Sequence, residues 1–227
     1  MGSYRDSIDQ VKSEEVVLQN YASEAAGSVK ALRAEVSARK SAQEDFRNII
    51  GNIQSLQSQY QGLYNRYLQA VRKAQQADSD DSSDSGEVNA ILGQMLSVQQ
   101  QIQSEQANAE KKKAEIRAIE ERIEKRKKEL QEYRDYIMRR KLEIDNLQQM
   151  LYEYYQAHAG AGSSFGSLGG HFGSSAASSR SSVHSGAAQE CSEAIQDCGM
   201  LKTYADRTIM HIDEELQNKE NDKGYER

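Results

Sequence analysis

Residues 78–86 read DSDDSSDSG, the sharpest change of character in a chain of 227 residues. On both sides, apolar side chains recur at alternating steps of three and four. Before the tract the series is Tyr4, Ile8, Val11, Leu18, Ala22, Ala25, Val29, Leu32, Val36, Phe46, Ile50, Ile53, Tyr60, Tyr64, Tyr67, Val71 and Ala74, with polar breaks at Glu15, Arg39, Gln43 and Gln57. After it the series is Val88, Ile91, Met95, Val98, Ile102, Ala109, Ile116, Ile119, Ile123, Leu130, Tyr133, Ile137, Ile144, Leu147, Leu151 and Tyr154. Its breaks are Glu105, Lys112, Arg126, Arg140 and His158. A seven-residue repeat sustained this long is the seam of a coiled coil rather than the wider stripe of a globular helix.

The two series match in length. If the chain folds back over residues 75–87, Ala74 meets Val88, Tyr67 meets Met95, Leu32 meets Leu130, Ile137 meets Ala25 and Ile8 meets Tyr154. The expected fold is therefore all-α: a long antiparallel coiled-coil helical hairpin, each arm extending roughly 100 Å at 1.5 Å per residue. The acidic tract is then the hairpin tip. Ser and Asp side chains compete for backbone hydrogen bonds and disfavour helix interiors, and Gly86 tolerates the conformations of a bend. A calcium loop fails on spacing: counting from Asp78, Ser83 occupies the glycine position and Asn89 the position of the bidentate glutamate. The serines of the tract are permissive for phosphorylation, no more.

Composition agrees with an elongated helical chain. There is no Pro and no Trp, 37% of residues are hydrophobic and 28% are charged, too polar for a wide core but sufficient for a narrow seam. The formal net charge of −6 argues against nucleic acid as a partner. The run EKKKAEIRAIEERIEKRKKEL (110–130) is basic, but its glutamates nearly cancel its lysines and arginines, so it reads as a solvated helix face. No apolar run is long enough for a membrane span, and MGSYRDSIDQ lacks the apolar centre of a signal peptide. The expected location is the cytoplasm, with signal-peptide-independent secretion left open.

The domain plan follows. Residues 3–77 form the first heptad helix, 78–87 the tip and 88–158 the second helix. Residues 159–187, AGAGSSFGSLGGHFGSSAASSRSSVHSGA, form a Gly/Ser-rich linker, expected to be flexible. Residues 188–219 form a C-terminal amphipathic helix and 220–227 a polar tail. The last helix has its own seam at Ala188, Cys191, Ile195, Cys198, Lys202, Ala205, Ile209, Ile212 and Leu216. It therefore expects a partner helix, either the hairpin base near Tyr4 and Tyr154 or a second chain. The candidate partner-binding residues are Cys191, Ile195, Cys198, Ala205, Ile209, Ile212 and Leu216. Cys191 and Cys198 lie two turns apart on one face, about 10.5 Å along the axis, too far for a mutual disulfide or a shared zinc. They read as small reduced core residues. Tyr136, Tyr152 and Tyr155 fall off the strict seam and are candidate interface residues, since Tyr joins apolar area to a polar end.

No catalytic constellation is present: no P-loop, H-E-x-x-H, G-x-S-x-G or C-x-x-C. No enzyme activity, cofactor or metal is expected. The architecture loosely resembles the helical N-terminal modules found around type VII secretion in Gram-positive bacteria, although the W-x-G turn of the small hairpin members is missing because the chain has no Trp. The expected function is a non-enzymatic interaction or adaptor protein. In it, a helical-hairpin spacer presents the C-terminal helix to a protein partner or for homo-oligomeric association. The resemblance implies an alternative, a secretion-associated hairpin substrate or targeting chaperone. A third reading is a parallel homodimeric structural rod with residues 78–87 as a mid-rod hinge.

Overall fold

The structure is a computed structural model and describes residues 4–76, 83–164 and 174–222. These form helices α1 (Tyr4–Gln76), α2 (Ser83–Ser164), α3 (Ser174–Leu216) and the short α4 (Lys219–Asp222). Among the described residues there is no strand. The fold is all-α: α1 and α2 of one chain pair as an antiparallel hairpin, and α3 packs against them. The centre of the acidic tract, and residues 165–173 of the expected linker, lie outside the described residues.

Two compact units divide the chain, one comprising Met1–Arg33 with Lys125–Asp222, the other built on Ala34–Glu124. The first is a three-helix unit. Its fully buried side chains are Leu18, Leu32, Leu130, Ile137, Ile144, Leu151, Cys191, Cys198 and Ile212. Burying each Leu or Ile contributes about 1.5–3 kcal/mol, against the entropy of ordering the helices. Here α3 runs antiparallel to α2 and alongside α1 in the same direction. Lys141 bonds Asp206 and Arg134 bonds Asp213 on one side, while Glu15 and Val29 line its grooves on the other.

The second unit is two-helical. Its seam includes Val36, Ala42, Phe46 and Ile53 of α1 and Ile116, Ile119 and Ile123 of α2. Toward the turn, Leu63, Ala70, Ile91, Met95 and Val98 form one cluster, with Leu56, Tyr60, Tyr67, Val88 and Ile102 packed against it. Tyr67 and Met95, and Leu32 and Leu130, are thus in the seam as the spacing predicts.

In α2, every apolar position of the predicted seam from Val88 to Tyr154 is buried or half-buried. Its basic breaks reach sideways out of the seam to carboxylates: Lys112 Nζ lies 3.2 Å from Asp45 and 2.8 Å from Glu115, Arg126 Nη1 lies 2.7 Å from Glu129, and Arg140 Nη1 lies 3.1 Å from Glu14. Aliphatic stems stay in the seam while charged ends leave it.

In α1 the seam departs from the reading at two places. Glu14 rather than Glu15 is buried. Val36, Arg39 and Ala42 are all buried, two consecutive steps of three that rotate the stripe by one position. Beyond them the seam takes Leu56 and Leu63 in place of Gln57 and Tyr64, which are exposed, and buried Ala70 joins half-buried Val71. The winning series is apolar throughout, whereas the displaced one carries a glutamine.

The helices also reach further than expected. α2 continues through Ser164 and α3 begins at Ser174, so much of the stretch read as linker is helical. The segment has no Pro and is dotted with Ala, so helix propagates once the neighbouring turns are formed. α3 stops at Leu216, where Gln217 N–H donates to the Asp213 carbonyl (2.9 Å) and the Asn221 amide donates to the Glu215 carbonyl (2.6 Å). Asn218 Oδ1 then accepts from Glu220 N–H at 3.0 Å, an N-cap for α4.

Candidate interaction face on the third helix

The residues expected to bind a partner through α3 are placed as follows. Cys191, Cys198, Ala205 and Ile212 recur every seven residues and are fully buried within the three-helix unit. Ile195, Ile209 and Leu216 are half-buried. The rest of the inner face is Ala187, Ala194, Leu201 and Glu215, each one position away from the predicted Ala188, Ile195, Lys202 and Leu216. The face is dominated by small side chains, which let α3 approach the hairpin closely. The helix docks in cis.

Four charged clasps fasten it. Lys202 pairs with Asp145 and also donates to Gln148 Oε1 at 3.1 Å, while Gln148 Nε2 donates to the Ile195 carbonyl at 3.1 Å. Lys141 reaches Asp206 at 2.6 Å, and Arg134 Nε reaches Asp213 at 2.5 Å. Arg33 binds Glu215 Oε2 through Nε (3.0 Å) and Nη2 (2.8 Å). The Glu215 side chain is only 4% exposed and its Oε1 has no partner. Three of these clasps hold α3 to α2 and one holds it to α1.

Burial sets the chemistry of the thiols. Cys191 is raised above the usual thiol range by desolvation, with Glu190 adding to the effect. Burial pushes Cys198 up to about 11, with Asp197 also raising it and Lys202 opposing. Both are free thiols with little nucleophilic thiolate.

The outward face of α3 is different. Met200 is 64% exposed and Met210 57%, with Tyr204 also exposed. Beside Met200 and Tyr204, α1 and α3 leave a groove of about 870 Å³ lined by Glu15, Gln19, Gln196, Asp197, Gly199, Met200, Leu201, Thr203, Tyr204 and Arg207. A second hollow of about 350 Å³ continues along the same boundary, between Ala22, Ala25, Ala26 and Val29 of α1 and Tyr204, Arg207, Thr208, His211 and Ile212 of α3. Reading for seam positions passes over these residues. Their signal is the i, i+4 pair Met200 and Tyr204 on the face opposite the cysteines.

The off-seam tyrosines separate. Tyr136 belongs to the α1–α2 packing: its ring stacks on Tyr21 at 3.8 Å, and its hydroxyl accepts from Arg140 Nε at 3.0 Å. Tyr155 is half-buried and Tyr152 exposed. Arg140 joins this stack to a buried carboxylate. Glu14 is 6% exposed, Oε1 meets Arg140 at 3.1 Å, and Oε2 has no partner. Burial holds the Glu14 carboxyl above its usual range, with Arg140 opposing and Glu143 reinforcing.

Among the described residues no group of three or more His, Cys, Asp or Glu side chains is arranged to hold a metal ion, and no helix is long and apolar enough to cross a membrane. His211 is exposed beside Glu214, and His158 sits 6.3 Å from the Tyr4 ring. No protein-family model, curated protein or solved structure matches the chain.

Proposed function

We propose that this chain is a non-enzymatic coiled-coil interaction protein, in which the hairpin is a spacer and docked α3 presents its outward face to a helical protein partner. The observation that carries this reading is the exposed pair Met200 and Tyr204, one turn apart, lining the α1–α3 groove. Met and Tyr are enriched at interfaces because one adapts its shape and the other adds a polar end to apolar area. Glu15, Asp197 and Arg207 at the rim supply charges of both signs that would fix the register of an incoming helix.

The test is affinity purification of the tagged full-length chain from its native host, beside Met200→Glu, Tyr204→Glu and a chain ending at residue 187. A discrete partner retained by the full chain and lost from all three variants supports the reading. A partner retained by both point variants sinks it.

A further inference from the structure

In the second unit the two-helix seam leaves a row of large apolar side chains uncovered. Tyr64 is 40% exposed, Leu68 37%, Leu92 37% and Leu96 60%. Their positions in the repeat place them together. Tyr64 and Leu92 each follow a buried seam residue, Leu63 and Ile91, and Leu68 and Leu96 each lie four residues further along. In an antiparallel helix pair, the positions that follow such equivalent seam residues fall on the same flank of both helices. The opposite flank is marked by Lys73 and Glu87, which pair across the helices at 3.9 Å. Two leucines from α2, with a tyrosine and a leucine from α1, therefore form one stripe along one side of the hairpin.

The surroundings of this stripe are unusual for this chain. Residues 48–65 of α1 and 88–104 of α2 contain no Asp, Glu, Lys or Arg, in a sequence that is 28% charged. The flanking exposed positions are amides such as Gln61 and Gln99. Elsewhere in the unit the flanks carry cross-helix ion pairs, Arg122 with Glu35 and Lys112 with Asp45. A solvated flank is ordinarily charged, whereas charge is depleted where an interface core excludes water.

We propose that this stripe is a docking surface for a second copy of the same chain, two hairpins packing flank to flank into a local four-helix bundle. The charge pattern selects this occupant. Over Tyr64, Leu92 and Leu96 a charged partner surface would bring ions to a flank that offers no counter-charge and would lose their hydration without compensation, with Arg72, one turn beyond Leu68, marking the end of the uncharged stretch. A Gln-lined apolar stripe instead complements its own copy. Each amide both donates and accepts hydrogen bonds, and each leucine finds apolar area of the same length and period. The surface lies in a different unit from the α3 groove, so this proposal does not rest on the partner reading above.

Sedimentation velocity and light scattering on the full chain, under reducing conditions and over about 1–100 μM, decide it. The expected result is a mass that rises from the 25.5 kDa monomer toward twice that value with concentration. Leu92→Glu and Leu96→Glu should each move the midpoint up by about tenfold or more with the far-UV helix signal unchanged. Val16→Glu, at an isolated exposed position of the other unit, should leave the midpoint in place. A chain that is monomeric throughout overturns the proposal. So does a dimer insensitive to both leucine substitutions, or one dissolved by Met200→Glu, which would assign self-association to the α3 face.

Discussion

The most consequential single residue in the three-helix unit is Arg140. It donates to Glu14 at 3.1 Å, to Glu143 at 2.6 Å and to the Tyr136 hydroxyl at 3.0 Å, so it ties a buried carboxylate to an aromatic stack. Arg140→Ala leaves Glu14 buried without its cation, and the expected loss is about 1–3 kcal/mol in denaturant unfolding. Glu14→Leu combined with Arg140→Met should recover most of it, because the ion pair is replaced by packing volume. The pH dependence has a definite sign. Glu14 is raised above 4.5 mainly by burial, so the native state keeps its proton to higher pH than the unfolded chain does. Its contribution to stability is fully present below the unfolded value and is lost as pH rises through the native one. Comparison of unfolding midpoints for Glu14→Gln and the parent chain across that window should show the parent gaining relative stability as pH falls. An ordinary core residue provides the reference: Ile144→Ala, at a fully buried position, should cost about 2–5 kcal/mol.

At the scale of the element, α3 is held by a small-residue face and charged clasps, and its inner face carries the only two cysteines. Thiol labelling therefore reads its docking directly. In the parent chain at pH 8, Cys191 and Cys198 should label only through opening of the unit, because both are buried and both thiols are raised by desolvation. Ala205→Glu places a carboxylate in the middle of that face and should accelerate labelling by about a hundredfold or more, while circular dichroism shows the hairpin still helical.

How much of each element was legible also varies, for a physical reason. The α2 seam could be read in full because its steps of three and four stay in phase from Val88 to Tyr154, so the apolar residues beside it, such as Leu92 and Leu96, never form a competing seam of equal length. In α1, SLQSQYQGLYNRYLQAV (55–71) carries two interleaved apolar series, and choosing between them requires the rotation near Arg39 that only packing imposes. The one-position displacement of the α3 seam has a similar origin. A helix resting on two others buries a wider face than a helix facing one, so Ala194 and Leu201 join the cysteines. The outward Met200–Tyr204 face was not legible, because it becomes distinctive only once the inner face is known to be occupied.

For the molecule as a whole, two-helix and three-helix sections should differ in local stability. A two-helix seam buries one stripe per helix, whereas α3 adds a third layer to the unit in which Ile137, Ile144 and Leu151 are fully buried. Hydrogen exchange read by peptide should show the slowest amides of α2 around residues 137–151 and faster exchange around 91–102. If the flank formed by Tyr64, Leu68, Leu92 and Leu96 is covered by a second copy, the faster region should become protected as concentration rises, while 137–151 does not change. That pattern would connect the residue-level stripe to the assembly state without reference to any partner.

The Tyr21–Tyr136 stack has an optical consequence. The chain has twelve tyrosines and no tryptophan, so tyrosine emission is not drained by energy transfer to an indole. Two phenol rings 3.8 Å apart, one of them beneath the Arg140 guanidinium at 5.0 Å, are held where excited-state quenching is strong. Parting α1 from α2 would brighten the molecule from within, giving the hairpin an intrinsic fluorescence gauge that needs no dye.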